Sequence, residues 1–216
     1  VKNITLHELL NAYANGIFPM SEDRHDPLLF WVNPERRGIL PLDEFHIPRR
    51  LKRTIKSGKF DVHVDTAFRA CVLECSKPSR DRRSTWINDQ IIELYSEMFE
   101  HGFAHSVECW HEGQLSGGLY GVSIGGAFFG ESMFSKVTDA SKVALVHLVA
   151  RLRAGGYTLL DTQFITKHLE QFGAIEVSRA HYRSLLSKAI MEKADFYSIP
   201  SDLSGSDILQ SMTQTS

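Results

Sequence analysis

Hydrophobic and polar positions follow two periods along this chain, and the change between them is sharpest from residue 117 to 163. There an apolar strand ends in Gly130-Glu131-Ser132, and a nearly all-apolar stretch of helical length follows from about 140 to 154. A second apolar strand then ends in Asp161-Thr162-Gln163. Asp139 or Ser141 can cap the helix, and Gly155-Gly156 closes it. Polar groups thus emerge at strand ends from buried surroundings.

Upstream, residues 105–110 and 114–122 read as strands around the turn His111-Glu112-Gly113, and 127–134 as a third, which predicts a consecutive antiparallel meander. The strand at 157–163 pairs back after the helix. Downstream come a short helix at 166–172, a strand at 174–177 and a helix at 178–193. On the amino side the spacing predicts a helix at 4–14, a turn and short strand at 33–41, a strand at 60–64, and helices at 66–75 and 89–101. Between the last two lies a polar loop, 77–83, with Pro78, Arg80, Arg82 and Arg83. The pattern divides the chain into a small aromatic-rich unit at 1–62 that carries a basic helix, a larger mixed α+β unit at 63–200, and a polar tail at 201–216 expected to be flexible.

One window departs from ordinary amphipathic patterning. Residues 46–59 carry Arg49, Arg50, Lys52, Arg53, Lys56 and Lys59, with Leu51 and Ile55 as apolar anchors four apart and no acidic residue. On a helix the anchors face inward and the cations fan over the exposed side. The net charge of -2 gives the whole protein no attraction for an anion, so an anionic partner must use a local patch such as this. A solvated surface helix and a phosphate-binding face both fit it.

At 216 residues, 43% hydrophobic and 23% charged, the composition is that of a folded protein with a core of ordinary size. No apolar run approaches the ~18 residues of a membrane span, and the amino-terminal residues lack a basic-then-apolar leader pattern, so no membrane partner is expected and the cytoplasm is. Three cysteines, Cys71, Cys75 and Cys109, are too few for a disulfide framework. Cys71 and Cys75 share a helix face, but no His or Cys follows at zinc-type spacing, so no metal is expected.

The predicted class is α+β, with a mixed, mainly antiparallel sheet of the Gcn5-related acyltransferase kind. Such enzymes usually hold coenzyme A on glycine amides before the central helix. Here that loop, 135–142, contains no glycine, so coenzyme A is disfavoured and no cofactor is expected.

Several segments then carry a specific resemblance: Gly16-Ile17-Phe18-Pro19, Thr85-Trp86-Ile87, His105-Ser106-Val107-Glu108, the run from Gly117 to Val122, the run from Gly130 to Ser135, Ala140-Ser141-Lys142, and Leu160-Asp161-Thr162-Gln163. In order and over nearly the whole chain, from about residue 9 to 190, they resemble the bacterial leucyl/phenylalanyl-tRNA–protein transferase family. The resemblance implies transfer of Leu or Phe, and to a lesser extent Met, from aminoacyl-tRNA to the N-terminal Arg or Lys of a protein. The product is marked for N-end rule degradation, with no metal, coenzyme A, membrane or DNA involved. It implies catalytic roles for Asp161 and Gln163, with Asp161 orienting and deprotonating the attacking amine through Gln163, and Glu131 as holder of the donor's amino group. It implies a donor side-chain pocket of Leu119, Phe128, Leu148 and Leu160, and contacts of Trp86 and Tyr13 with the terminal adenosine. Arg49, Arg50, Lys52 and Arg53 match the family's basic helix for the tRNA acceptor stem. Met20 stands where the family often has Trp.

The residues by themselves leave other readings open. Asp161 and Gln163 can be a polar pair capping the next helix, Glu131 can be half of a salt bridge, and each pocket position is equally a core position. A coenzyme A-dependent N-acetyltransferase, a non-catalytic tRNA-binding module and a peptidoglycan-type aminoacyl-tRNA transferase are the competing functions.

Overall fold

The structure, a computed structural model, describes residues 4–78, 84–201 and 203–213. Arg80, Arg82 and Arg83 of the predicted polar loop lie outside the described residues. Strands β1 (Phe18–Met20) and β2 (Phe30–Val32) form a small hairpin. The main sheet contains β3 (Arg36–Ile39), β4 (Asp61–Val64), β5 (Ala104–His111), β6 (Gln114–Ile124), β7 (Ala127–Ser135), β8 (Leu159–Gln163) and β9 (Ile175–Ser178), in the order β4-β5-β6-β7-β8-β3-β9. The helices are α1 (Leu6–Ala14), α2 (Arg49–Lys56), α3 (Phe68–Cys75), α4 (Asp89–Glu100), α5 (Ala140–Ala154), α6 (Lys167–Glu170), α7 (Arg179–Ala189) and α8 (Gly205–Ser211).

The meander β5-β6-β7 is antiparallel as predicted, and β7 pairs with β8 in parallel after the crossover through α5. A parallel pair needs such a crossover, and the apolar run at 140–154 supplies it. Twelve of the 15 residues of α5 are buried, because one side of the helix packs on the sheet and the other is covered by α2 and α8. Even Arg151 is buried, its guanidinium donating to the carbonyls of Phe196, Ile199 and Pro200 at 2.7–3.1 Å. The opposite sheet face is covered by α1, α3, α4 and α7 through Tyr13, Phe68, Tyr95 and Tyr182.

Two details position the site. In β7 the register passes from Gly121↔Gly130 to Tyr120↔Ser132, so Glu131 is an extra residue with no partner across the ladder. A bulge of this kind re-aims the side chain that it carries. The strand read at 127–134 runs from Ala127 to Ser135, with Glu131 at a bulge inside it rather than at its end. Second, β7 and β8 pair only through Phe129↔Asp161, and beyond that point the two strands part.

Sequence and structure differ at two places. The sequence boundary near residue 62 does not coincide with a change of sheet, since β3 lies inside the main sheet between β8 and β9. Gly38 allows this insertion: a Cβ there would fall 2.8 Å from the Phe164 carbonyl carbon and from Thr162 Oγ1. The tail expected to be flexible forms α8, which buries Ile208 and Leu209 against α2 and α5. Its many Ser and Thr residues concealed one capping box, Ser204 with Asp207, and one apolar pair. Ile208→Ala is expected to cost about 2–4 kcal/mol in denaturant unfolding. A frayed tail would leave stability unchanged.

Candidate active site

Where β3 pairs with β8, Arg37 meets Asp161, their side chains 1% and 0% exposed. Arg37 Nη2 donates to Oδ2 at 2.5 Å, and Nε donates to Oδ1 at 2.9 Å. Nη1 donates to the Gly16 carbonyl at 2.9 Å. The guanidinium lies between the rings of Phe18 and Tyr182, 4.6 and 4.5 Å from their centroids. Asp161 accepts two further bonds, from Tyr182 Oη–H (2.6 Å) and from the Gln163 backbone N–H (2.7 Å). With two donors on each oxygen, the carboxylate is saturated. Burial works against the Arg37 cation, but the facing Asp161 outweighs it and holds the guanidinium above its ordinary pKa.

Where β7 and β8 part, a cleft of about 990 Å³ opens off their carboxyl ends. Ligands of open α/β sheets bind in this position, because the parting strands leave side chains and backbone unpaired. Its apolar wall includes Leu119, Leu145, Leu148, Leu160 and Met133, and Phe18, Met20, Trp86 and Phe134 line another part. Glu131 and Gln163 contribute the polar groups between them. On the rim, Glu74 pairs with Lys77 and Lys136 (both 2.9 Å), and Asp139 with Lys142 (3.3 Å).

Gln163 is held in the left-handed region, φ 56°, a conformation costly for a residue with a Cβ. Asp161 binds its backbone N–H, while its side-chain Nε2 donates to Glu131 Oε1 at 3.2 Å. Glu131 is buried, and among the described residues its hydrogen bonds come from neutral groups, Tyr13 (2.7 Å), Tyr95 (3.2 Å) and Gln163. Burial pushes its carboxyl up to about 8, helped by the Asp161 charge and opposed by the bonds from Tyr13 and Tyr95.

The residues singled out in the sequence divide accordingly. Glu131, Gln163, Leu119, Leu148, Leu160 and Trp86 line one cleft. Asp161 does not line it and reaches it only through Gln163. Tyr13 lies behind Glu131 as its hydrogen-bond donor, fully buried. Phe128 faces away from the cleft, stacked on Phe196 at 5.7 Å. Arg49, Arg50, Lys52 and Arg53 are exposed on α2, and Arg50 approaches Asp139 at the rim, 3.9 Å away. Arg37, Tyr95 and Tyr182 escaped the sequence reading. Arg37 looked like a turn residue beside Pro34, and both tyrosines occupy apolar helix faces where a tyrosine reads as core. Cys71 and Cys75 are buried, Cys71 Sγ donating to the Leu119 carbonyl at 3.4 Å.

A mixed sheet, a crossover helix and a cleft where two parallel strands part make up an α+β fold, with Asp139 immediately before α5. The family model described as leucyl/phenylalanyl-tRNA protein transferase matches residues 39–187, and that of its N-terminal domain matches 2–35. The chain belongs to the leucyl/phenylalanyl-tRNA–protein transferase family, and is thus an aminoacyltransferase. It is 56% identical to the leucyl/phenylalanyl-tRNA–protein transferase of Maricaulis maris over 97% of both chains. It is 58% identical to that of Paramagnetospirillum magneticum over 91% of this chain and 94% of the relative. Among solved structures, that of L-PGS from Bacillus licheniformis aligns at 14% identity over 76% of this chain and 55% of that one, with a TM-score of 0.40, too distant to carry an argument.

Two outcomes follow from the buried charges. Arg37→Leu leaves Asp161 buried without its counter-ion and is expected to cost about 3–5 kcal/mol in equilibrium unfolding, whereas restoring neutrality with Asp161→Asn in the same chain recovers part of the loss. The Glu131 carboxyl lies above its ordinary value in the fold, so its contribution to stability is complete below about 4.5 and is lost as pH rises to about 8. Glu131→Gln is expected to flatten the fall of Tm across that window.

Proposed function

We propose that this enzyme transfers Leu or Phe, and Met to a lesser extent, from aminoacyl-tRNA to the N-terminal Arg or Lys of acceptor proteins, creating the destabilising N-terminus read by N-end rule degradation in the cytoplasm. The carrying observation is the cleft itself, which joins an apolar wall to a buried carboxyl and a strained amide at one point. An aminoacyl ester has the same three features: a side chain, an α-ammonium and a reactive carbonyl.

In this reading Leu119, Leu148 and Leu160 take the donor side chain, and Glu131 holds the donor α-ammonium. An apolar pocket separates side chains by only about 1–3 kcal/mol per methylene, which accounts for leakage to Met. Trp86 stacks on the terminal adenine, with Met20 lining the same cleft. The acceptor amine, with a pKa of about 8, is partly neutral at pH 7. Its nitrogen attacks the ester carbonyl, the C–N bond forms, the C–O bond to the ribose breaks, and the amine's proton ends on the ribose oxygen. Gln163 faces the reacting groups and polarises the carbonyl or orients the amine. Asp161 acts as a positioning residue: taking a proton would require it to give up a bond to Arg37, Tyr182 or the Gln163 backbone.

The exposed cations of α2 supply the contact with acceptor-stem phosphates, and the Arg50–Asp139 approach joins that surface to the cleft rim. Against a coenzyme A enzyme stands the carboxylate of Asp139 at the start of α5, its residue in the left-handed region at φ 74° and its charge toward Lys142. Pyrophosphate would meet an anion there.

The test is transfer of labelled Leu from charged tRNA to peptides beginning with Arg, Lys or Ala, beside acetyl coenzyme A without tRNA. Label is expected on the Arg and Lys peptides alone; acetylation without tRNA would sink the reading. Gln163→Ala, which spares the buried ion pair, is expected to lower kcat by about 10²-fold or more with tRNA binding retained. Arg50→Glu is expected to weaken tRNA binding and reduce its salt dependence, with transfer restored at saturating tRNA.

A further inference from the structure

Beside the ion pair lies a second buried cluster whose protons can be counted. Tyr13 Oη of α1, Tyr95 Oη of α4 and the two carboxyl oxygens of Glu131 form a closed ring. Tyr13 Oη is 2.7 Å from Oε1, Tyr95 Oη is 3.2 Å from Oε2, and the two phenol oxygens touch each other. Three oxygen–oxygen contacts require three protons, and the two phenols supply two. If Glu131 is a carboxylate, one of the three contacts lacks a proton and two oxygens meet there lone pair to lone pair. If it is a carboxylic acid, Oε2–H donates to Tyr95, Tyr95 to Tyr13 and Tyr13 to Oε1, and every contact has its proton. Gln163 Nε2–H fits either case, donating to Oε1.

The neighbours agree with the second arrangement. From β6, Tyr120 packs edge-on against Tyr95, 5.6 Å between centroids, and its hydroxyl has no hydrogen-bond partner among the described residues. From β8, Asp161 adds a negative field; from β3, Arg37 opposes it but is bound to Asp161, which Tyr182 of α7 also bonds. Burial is the largest influence on Glu131, and it favours the neutral acid. The Asp161 charge adds to burial and holds the carboxyl above its ordinary value, while the bonds from Tyr13 and Tyr95 and the Arg37 charge oppose the shift.

We propose that in the unliganded enzyme Glu131 is a carboxylic acid closed into a ring with Tyr13 and Tyr95, and that arrival of the donor's α-ammonium displaces its proton. The displacement rests on the donor-site reading above; the protonated ring does not. In the step, the Oε2–H bond breaks, the proton leaves through the open cleft to solvent, and an ammonium N–H takes its place against the carboxylate. Charge balances, since one cation enters and one proton departs. The ring thus spares the empty site an uncompensated buried charge, and makes Tyr95, with Tyr13, a further positioning residue for the donor.

Infrared difference spectroscopy of the full-length protein tests the ring. At pH 7 the carbonyl band of a protonated carboxylic acid is expected in the wild type and absent in Glu131→Gln. Tyr95→Phe, which keeps the packing against Tyr120, is expected to move the pH midpoint of that band. Absence of the band, or its persistence in Glu131→Gln, would overturn the proposal, and an unmoved midpoint would remove Tyr95 from it. The displacement is tested with phenylalanyl-adenosine bearing an amide in place of the ester, titrated calorimetrically in two buffers of different ionisation enthalpy. About one proton is expected to be released per molecule bound near pH 7, falling toward none well above the carboxyl's value and none in Glu131→Gln. A band without proton release would overturn the displacement and count against the donor-site reading, leaving the ring standing.

Discussion

The buried pair of Arg37 and Asp161 is the constraint on which the rest of the site depends. A cation and an anion withdrawn from water are tolerable only when their hydrogen-bonding capacity is filled, and here it is filled from four parts of the chain. Gly16 precedes the small hairpin, Arg37 lies on β3, Asp161 on β8, and Tyr182 on α7. With Phe18 and Tyr182 stacked on the guanidinium, the amino-terminal hairpin and α7 are fixed to the sheet at β3 and β8. The same carboxylate grips the backbone of Gln163, which keeps that residue in its strained conformation at the mouth of the cleft.

The cleft follows from two irregularities in an otherwise regular sheet. Parallel pairing of β7 and β8 stops at Phe129 and Asp161, and the bulge places Glu131 just past that point. Two carboxyl groups thus stand near one another in different settings. Asp161 is met by a guanidinium, and Glu131 by two phenols and an amide. The charge of the first adds to burial in favouring the neutral form of the second. A pair of acids with such unequal surroundings can divide the work, one as a fixed anion of the frame and one as a group that exchanges its proton for a ligand's charge.

The basic surface proposed to meet tRNA is built more simply. The anchors Leu51 and Ile55 hold α2 on the core, and α8 supports it from behind: a Cβ on Gly205 would fall 2.4 Å from the Ile55 carbonyl oxygen. The exposed cations can therefore present a fixed array, and Asp139 ties that array to the cleft through Arg50 and Thr54.

Much of this was legible along the chain. Period-two alternation marked the meander, an apolar run marked α5, and the unpaired cations at 49–59 marked a face for an anion, because each is a local pattern that burial or solvation acts on directly. Motif order indicated the family, and the family comparisons agree. What the sequence by itself determined was therefore the class of fold, most of its elements short of α8, and the polar residues emerging from β7 and β8. Local pattern did not distinguish Leu119, Leu148 and Leu160 on the cleft wall from Phe128 in the core, since all four are apolar strand or helix positions. Nor did it pair Arg37 with Asp161 across 124 residues, or bring Tyr13 and Tyr95 to Glu131 from two helices. Those assignments depend on which buried polar groups find each other once the layers close, and only the tertiary structure decides that.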